Sequence, residues 1–210
     1  MLQILSFTLG SVETNTYIIA DDLQKQAVVI DPAWAGEFLA REVRQHDWSL
    51  TGIWLTHAHF DHIAGTADLV REFRPAPGVA LHPADLPLYR AQGGAGLFGF
   101  KIDPGPEPDM QLAGDDSLSI GEYIFEVRHT PGHTLGHVVF CCAPERVVFC
   151  GDVIFRGSIG RTDLPGGSFD QLMKSIQTQI LSLPDDTRLY SGHGPETTVG
   201  FERRHNPFLQ

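Results

Sequence analysis

The segment that decides the fold is Thr56-His57-Ala58-His59-Phe60-Asp61-His62, which directly follows the apolar run Ile53-Trp54-Leu55. The apolar run predicts a short buried strand, so four ligand-type side chains lie where that strand ends. Because alternate residues of an extended segment point the same way, the first two histidines can reach one metal ion together. The aspartate and the third histidine follow a turn and can face a second point nearby. Imidazole and carboxylate ligands suit zinc and similar divalent ions.

Three further candidate ligands stand at the ends of other predicted strands, each beside a glycine. They lie in Thr130-Pro131-Gly132-His133-Thr134, in Gly151-Asp152 and in Ser191-Gly192-His193-Gly194. Strand ends in α/β proteins converge on one rim, where sites are built, and glycine lets the backbone approach a metal cluster. Seven ligand-type residues exceed what one tetrahedral ion can use, so we expect two metal ions. The candidate metal ligands are His57, His59, Asp61, His62, His133, Asp152 and His193.

Length and composition predict one globular domain over residues 1–210. The chain is 42% hydrophobic and 20% charged, which is ordinary for a folded protein with a sizeable core. Its formal net charge of −11 argues against a nucleic-acid partner, because such a surface needs a basic face. A nucleic-acid partner is therefore not expected.

Signals of export or membrane insertion are absent from the sequence. Residues 1–5 lack a basic flank and a long apolar stretch, and no window approaches the roughly 20 apolar residues of a membrane span. The cysteines, Cys141, Cys142 and Cys150, form no C-x-x-C pair, which disfavours a disulfide framework or a cysteine zinc site. A cytoplasmic location is the expectation.

Strands and helices alternate along the chain in two similar halves. This pattern favours an α/β sandwich with two sheets inside and helices outside. The predicted strands cover residues 3–9, 16–20, 26–30, 53–55, 79–82, 117–120, 123–128, 138–142, 147–150 and 188–191, and the predicted helices cover 36–46, 67–73, 84–91 and 169–182.

Residues 92–110 differ in character from the rest of the chain. Four glycines come first, and three prolines follow them, which predicts a long irregular loop. Such a loop can cover a substrate or be mobile, and we expect mobility.

The four segments that carry the candidate ligands resemble the metallo-β-lactamase superfamily, in order and in spacing, over nearly the whole chain. The resemblance implies an αββα sandwich of two mixed sheets with helices outside. It assigns His57, His59 and His133 to a first metal ion and Asp61, His62 and His193 to a second. Asp152 is then expected to bridge the two ions with its two oxygens. Zinc is the expected metal, with iron or manganese as alternatives.

Two other segments are similar to the glyoxalase II (hydroxyacylglutathione hydrolase) branch of that superfamily. They are Gly157-Ser158-Ile159-Gly160-Arg161-Thr162-Asp163 and Glu202-Arg203-Arg204-His205-Asn206-Pro207-Phe208. Glyoxalase II carries an additional C-terminal helical domain that helps to hold glutathione. The present sequence resembles the shorter relatives that lack this domain.

This resemblance implies a metal-dependent hydrolase of a thioester, most simply S-lactoylglutathione, in which a metal-bound hydroxide attacks the carbonyl carbon. Asp61 and Asp152 would serve catalysis as metal ligands, and Arg161 would bind the thiol carrier. A mononuclear iron persulfide dioxygenase of the same fold is the alternative. A metal-binding protein without catalysis is a third possibility, which the intact ligand set disfavours.

The remaining titratable residues near these segments have two interpretations each. His137 either orients a ligand or is structural, and Asp31 either braces the metal-binding histidines or is an ordinary turn residue. We expect the other four histidines to be surface or structural residues: His46, His82, His129 and His205.

Overall fold

The N-terminal half of the chain forms a mixed sheet of six strands. The computed structural model describes all residues, 1–210. The first three strands form an antiparallel meander, and the next three continue in parallel. In sheet order they are β1 (Leu2–Leu9), β2 (Thr14–Asp21), β3 (Gln26–Ile30), β4 (Ser49–Trp54), β5 (Gly78–Leu81) and β6 (Met110–Gln111).

The C-terminal half forms a second mixed sheet, also of six strands. Its order is β14-β13-β10-β9-β8-β7, with only β10 and β13 parallel. These strands are β7 (Ser117–Ile120), β8 (Tyr123–His129), β9 (Val138–Cys142), β10 (Val147–Gly151), β13 (Arg188–Ser191) and β14 (Thr197–Thr198). A short separate hairpin joins β11 (Ile154–Phe155) to β12 (Ser158–Ile159).

Six α-helices accompany the sheets. In α1 the buried side chains Leu39, Ala40 and Val43 share one face, which is the spacing that packs a helix on a sheet. None of the helices combines the length and the apolar character that crossing a bilayer requires. The helices are α1 (Gly36–Gln45), α2 (Phe60–Ile63), α3 (Thr66–Glu72), α4 (Leu86–Arg90), α5 (Phe169–Ser175) and α6 (Val199–His205).

Three apolar layers stack these elements into a four-layer sandwich. Alternate residues of β2 enter different layers: Ile18 packs on the helix side, whereas Tyr17 and Ile19 pack between the sheets. Strand β9 divides its side chains in the same way between the central layer and the layer beneath α5. Strands covered on both faces explain the continuous apolar runs of the sequence. The predicted αββα architecture is confirmed.

Several predicted boundaries differ from the structure. Strand β4 starts at Ser49 rather than at residue 53, because its polar first residues still pair with β3. The helix predicted for 169–182 ends as α5 at Ser175 and continues as a π-helical turn, Ile176–Ile180. Helix α6 and the short strands β6, β11, β12 and β14 were not predicted, since elements this short show little periodicity.

Residues 92–110 are irregular only in part. Gln92–Phe98 folds into 3-10 turns, in which Ala95 is fully buried and Gly93 packs directly on the backbone of Phe60. Any side chain at Gly93 would collide with that backbone. The segment is therefore anchored to the helix that carries two of the candidate ligands.

Candidate metal centre

All seven candidate ligands meet at one edge of the sandwich, between the two sheets. His57 and His59 follow β4, His133 follows β8, and Asp152 and His193 follow β10 and β13. The remaining two, Asp61 and His62, lie on α2, which begins directly after the β4 loop. The sequence brings these residues together because strand ends of both sheets open onto the same edge.

Three groups of side chains bring ligand atoms close enough to share a metal ion, and two of them consist of candidate ligands alone, since the third combines His57 and His62 with Asp31. His57, His59 and His133 form the first group, and Asp61, His62 and His193 form the second; within each, the ligand atoms lie within 4.8 Å of one another. In the first group, His59 Nδ1 is 2.8 Å from His133 Nε2. In the second, His193 Nε2 is 3.3 Å from Asp61 Oδ2. The partition is the one that the family resemblance implied.

Asp152 lies between the two groups. Its Oδ2 is 3.5 Å from His133 Nε2 of the first group and 3.6 Å from His193 Nε2 of the second. Its Oδ1 is 3.4 Å from His62 Nε2. Asp152 Oδ1 thus faces the second group and Oδ2 faces both, so both oxygens are available to ions held between the groups.

The ring nitrogens that point away from the centre have hydrogen-bond acceptors. His62 Nδ1 donates to Asp31 Oδ2 at 2.9 Å, and His133 Nδ1 donates to the carbonyl oxygen of Arg161 at 2.8 Å. His57 Nδ1 lies 3.0 Å from Thr56 Oγ1, which gives its own hydrogen to Asp31 and so must accept. In each ring Nε2 then faces the centre, the orientation that metal coordination requires.

Three buried side-chain atoms that face the centre have no hydrogen-bond partner: His57 Nε2, His62 Nε2 and Asp152 Oδ1. Buried polar atoms without partners are costly and rare in native proteins. Cations bound between the groups would satisfy all three, so the residues fit two divalent metal ions.

Burial and mutual repulsion keep the first group neutral. Desolvation lowers the pKa of His57 well below its usual range, and the rings of His62 and His133 lower it further. Desolvation also lowers the pKa of His59 to about 3 and depresses the pKa of His133.

The second group is charged. Burial opposes ionisation there, but the carboxylates of Asp61 and Asp152 raise the pKa of His62 well above its usual range. Burial would lower the pKa of His193 as well, but its hydrogen bond to Asp61 raises that pKa above its usual range. Burial would raise the pKa of Asp61, yet His62 and His193 lower it to about 2.

Two buried aspartates brace the ligand loops. Asp31, at the end of β3, accepts hydrogen bonds from the Thr56 amide and hydroxyl as well as from His62. These contacts fit the interpretation in which Asp31 braces the metal-binding histidines. Asp85, which sequence reasoning missed, accepts from the Ala58 amide at 3.0 Å, from Thr134 Oγ1 at 2.8 Å and from the Gly136 amide. It ties the loop of His57 and His59 to the loop of His133.

Other supporting residues come from sequence-distant parts of the chain. Thr14 Oγ1 donates to Asp61 Oδ2 at 2.8 Å. His137 Nε2 accepts from the Asp152 amide at 3.0 Å, so His137 holds the backbone of a candidate ligand. No pattern in the sequence pointed to Thr14, whereas orienting a ligand was one of the two interpretations of His137.

The four remaining histidines lie outside the centre. His82 and His129 stack on each other with ring centroids 4.3 Å apart. His46 stacks on Trp48, and His205 packs on Phe201. These positions agree with the expected structural or surface roles.

A cavity of about 310 Å³ opens above the centre. Five candidate ligands form its floor, and its walls are Val12, Phe60, Phe98, Phe100, Arg161 and Leu164. Arg161 is half exposed, and its guanidinium makes two 2.8 Å hydrogen bonds to Asp163. It therefore lies at the cavity as predicted, although already paired with a carboxylate.

The two segments that suggested the glyoxalase II branch contact each other. Glu202 Oε2 accepts from the Gly157 amide at 2.9 Å, and Asn206 Nδ2 donates to the Ser158 carbonyl at 2.9 Å. Helix α6 thus anchors the β11–β12 hairpin, which leads directly to Arg161. The backbone carbonyl of Arg161 in turn orients His133.

Comparison with known proteins gives consistent relatives. A model of the metallo-beta-lactamase superfamily matches residues 9–193. The probable metallo-hydrolase YqgX of Bacillus subtilis is 40% identical over 205 residues, covering 96% of this chain and 94% of that protein. Hydroxyacylglutathione hydrolase GloC of Haemophilus influenzae is 37% identical over 202 residues, covering 94% and 93%.

Solved structures agree over the full length. BLEG-1, a B3 metallo-beta-lactamase, superposes with a TM-score of 0.92 at 40% identity, covering 99% of this chain and 100% of that one. TTHA1623, in a di-iron-bound form, gives a TM-score of 0.89 at 41% identity and covers 98% and 100%. With its fold, its ligand groups and these relatives together, the chain belongs to the metallo-beta-lactamase superfamily and is a metallo-hydrolase.

Proposed function

We propose that the protein hydrolyses a thioester of the hydroxyacylglutathione type, with S-lactoylglutathione as the first substrate to test. The observation that carries the proposal is the pair of ligand groups joined by Asp152 beneath an open cavity. The named activity of GloC, which matches this chain over almost its whole length, supports the choice of ester.

Seven residues would hold the metal ions: His57, His59 and His133 the first, Asp61, His62 and His193 the second, and Asp152 both. When bound, two divalent ions lower the pKa of water toward about 7 and polarise a carbonyl oxygen. Zinc suits the nitrogen and oxygen donors, and iron or manganese are alternatives.

The chain's own residues have defined tasks in this reaction. The neutral ring of His59 and the ionised carboxylates of Asp61 and Asp152 face the cavity, where the ester carbonyl must lie. Among the wall residues only Arg161 is cationic, and its guanidinium suits a carboxylate of the thiol carrier. The candidate ligands at the floor of the cavity would face the reacting bond, and Arg161 in the wall would contact a part of the substrate that does not react.

The test is steady-state hydrolysis of S-lactoylglutathione by metal-loaded protein, together with metal analysis. We expect about two metal equivalents per chain, as seven ligand-type residues imply, and measurable turnover. A single tightly held iron, with oxygen uptake on glutathione persulfide and no thioester hydrolysis, would instead support the dioxygenase alternative.

Arg161→Ala tests the carrier contact. Because Arg161 would touch a part of the substrate that does not react, its loss should raise KM and leave kcat nearly unchanged. One hydrogen bond to a charged group contributes roughly 1.5–3 kcal/mol, which predicts a rise on the order of 10- to 100-fold. Arg146→Ala is the matched control, since Arg146 is an exposed arginine paired with Asp186 away from the cavity. Equal KM values for the two variants would place the carrier elsewhere.

A further inference from the structure

One wall of the main cavity is apolar and exposed beside the reacting atoms. Val12, Phe98 and Phe100 are 41%, 44% and 37% exposed. The ring of Phe60, which lies between two candidate ligands, stacks on Phe100 at 5.3 Å and contacts Phe98 at 5.4 Å. Clustered exposed aromatic side chains at a site mark a surface that an apolar group covers.

A second, smaller cavity of about 50 Å³ continues from this wall. It shares His59, Phe98 and Leu164 with the main cavity, so the two adjoin at the metal centre. The rest of its lining is apolar or glycine: Leu88, Gly93, Gly94, Leu97 and Pro165. Its size admits a short chain end and excludes a tripeptide carrier.

Charge decides which end of a thioester can enter this side cavity. Its only titratable lining residue is His59, a candidate metal ligand, so no charged side chain faces the space as a counter-ion. A carrier with carboxylates and an amine would lose hydration there without gaining partners. An aliphatic acyl chain has no charged group to dehydrate, and it buries apolar surface there. Arg161, the cationic wall residue, lies in the main cavity.

We propose that the side cavity is an acyl-chain subsite and that the preferred substrates carry an acyl group whose apolar end is unbranched and longer than that of lactoyl. The thiol carrier then occupies the main cavity on the side of Arg161. This inference rests on the proposed thioester hydrolysis for its reaction, but the subsite can be measured without turnover.

The binding test uses acetate, butanoate and hexanoate, which mimic the acid product and carry no thiol. With zinc-loaded protein, isothermal titration should show affinity rising roughly fourfold per buried methylene, or about 15-fold from butanoate to hexanoate. Phe98→Ala and Leu97→Asp should each reduce that step to less than about threefold, because each removes apolar lining. Both residues are exposed, and either variant alone is sufficient if the other fails to fold.

Phe208→Ala is the matched control, because Phe208 is 47% exposed, similar to Phe98, and lines neither cavity. It should keep the full dependence on chain length. Affinity that does not change from butanoate to hexanoate, or a loss that is equal in Phe98→Ala and Phe208→Ala, would overturn the proposed subsite.

Turnover of S-lactoyl-, S-butanoyl- and S-hexanoylglutathione separates this inference from the proposed function. The ratio of kcat/KM for hexanoyl over lactoyl should fall about tenfold in Phe98→Ala relative to the unaltered protein, which cancels differences in intrinsic reactivity. Hydrolysis of all three esters without any dependence on Phe98 would retain the thioesterase and refute the subsite. Binding that depends on chain length, without hydrolysis of any ester, would retain the subsite and refute the thioesterase.

Discussion

The first group of the metal centre consists of three imidazoles, whereas the second combines two imidazoles with the Asp61 carboxylate. In the metal-free protein the first group is neutral, because burial lowers the pKa of each of its rings. In the second group the neighbouring carboxylates raise the pKa of His62 and His193. A metal ion therefore meets different conditions in the two groups. It can bind the first group without displacing protons, but it must displace protons from the second.

The shared carboxylate should give the largest effect. Asp152→Ala removes the one side chain that faces both groups, so it should lower kcat/KM at least on the order of 10³-fold, or about 4 kcal/mol, and reduce the metal content of both groups. His57→Ala should abolish hydrolysis as well but affect mainly the first group. Elemental analysis and kinetics would measure this, with His205→Ala as the control histidine variant. Substantial activity in either ligand variant would show that the proposed centre is wrong.

Acid should separate the two groups. The raised pKa of His62 means that this ring is protonated at neutral pH when metal-free, and coordination must release that proton. The affinity of the second group should therefore fall about tenfold per pH unit for each proton displaced. His59, with a pKa of about 3, is already neutral and loses little between roughly pH 7.5 and 5.5. Metal content measured across this range should fall from about two equivalents to about one. Simultaneous loss of both metals would contradict the comparison.

The supporting residues should give smaller, selective effects. Asp85 braces only loops of the first group, whereas the Thr14 hydroxyl donates to Asp61 of the second. Asp85→Asn should weaken the first metal by roughly tenfold, as expected for a group that orients ligands. Thr14→Val, which removes a hydroxyl at nearly constant volume, should weaken the second instead. Stepwise chelator competition would measure both affinities, and thermal unfolding of the metal-free variants would identify any general loss of stability.

The features that could be predicted from the sequence are those that depend on pattern. Apolar runs that end in glycine and a ligand-type residue identified the strands, their common edge and all seven side chains that converge there. Asp85 was missed because its partners are two backbone amides and a threonine hydroxyl up to 51 residues away. The carbonyl of Arg161 that orients His133 was missed for a related reason: side-chain identity says nothing about where a backbone oxygen points.

Apart from Arg161, the residues of the cavity walls could not be identified from the sequence either. Residues 92–110 were expected to be a mobile irregular loop, yet Phe98 and Phe100 from this segment line the cavity. Their position depends on the contact of Gly93 with Phe60, which joins two segments without any shared periodicity. The composition of residues 92–110 predicted an irregular segment, but the packing of Gly93 on Phe60 determines where that segment lies.

The hydrogen bonds of Asn15 have a consequence for synthesis of the chain on the ribosome. Asn15 Nδ2 donates to the carbonyls of Ser191 and Gly194, which lie 176 and 179 residues further along the chain, and Thr14 forms a β-bridge with His193. Translation proceeds at about 5–20 residues per second, so Thr14 and Asn15 wait roughly 10–35 s for these partners. The first group, with the shared Asp152 and the Arg161 carbonyl that orients His133, needs residues only as far as 161, whereas the second needs His193. The second group is therefore completed later in translation than the first.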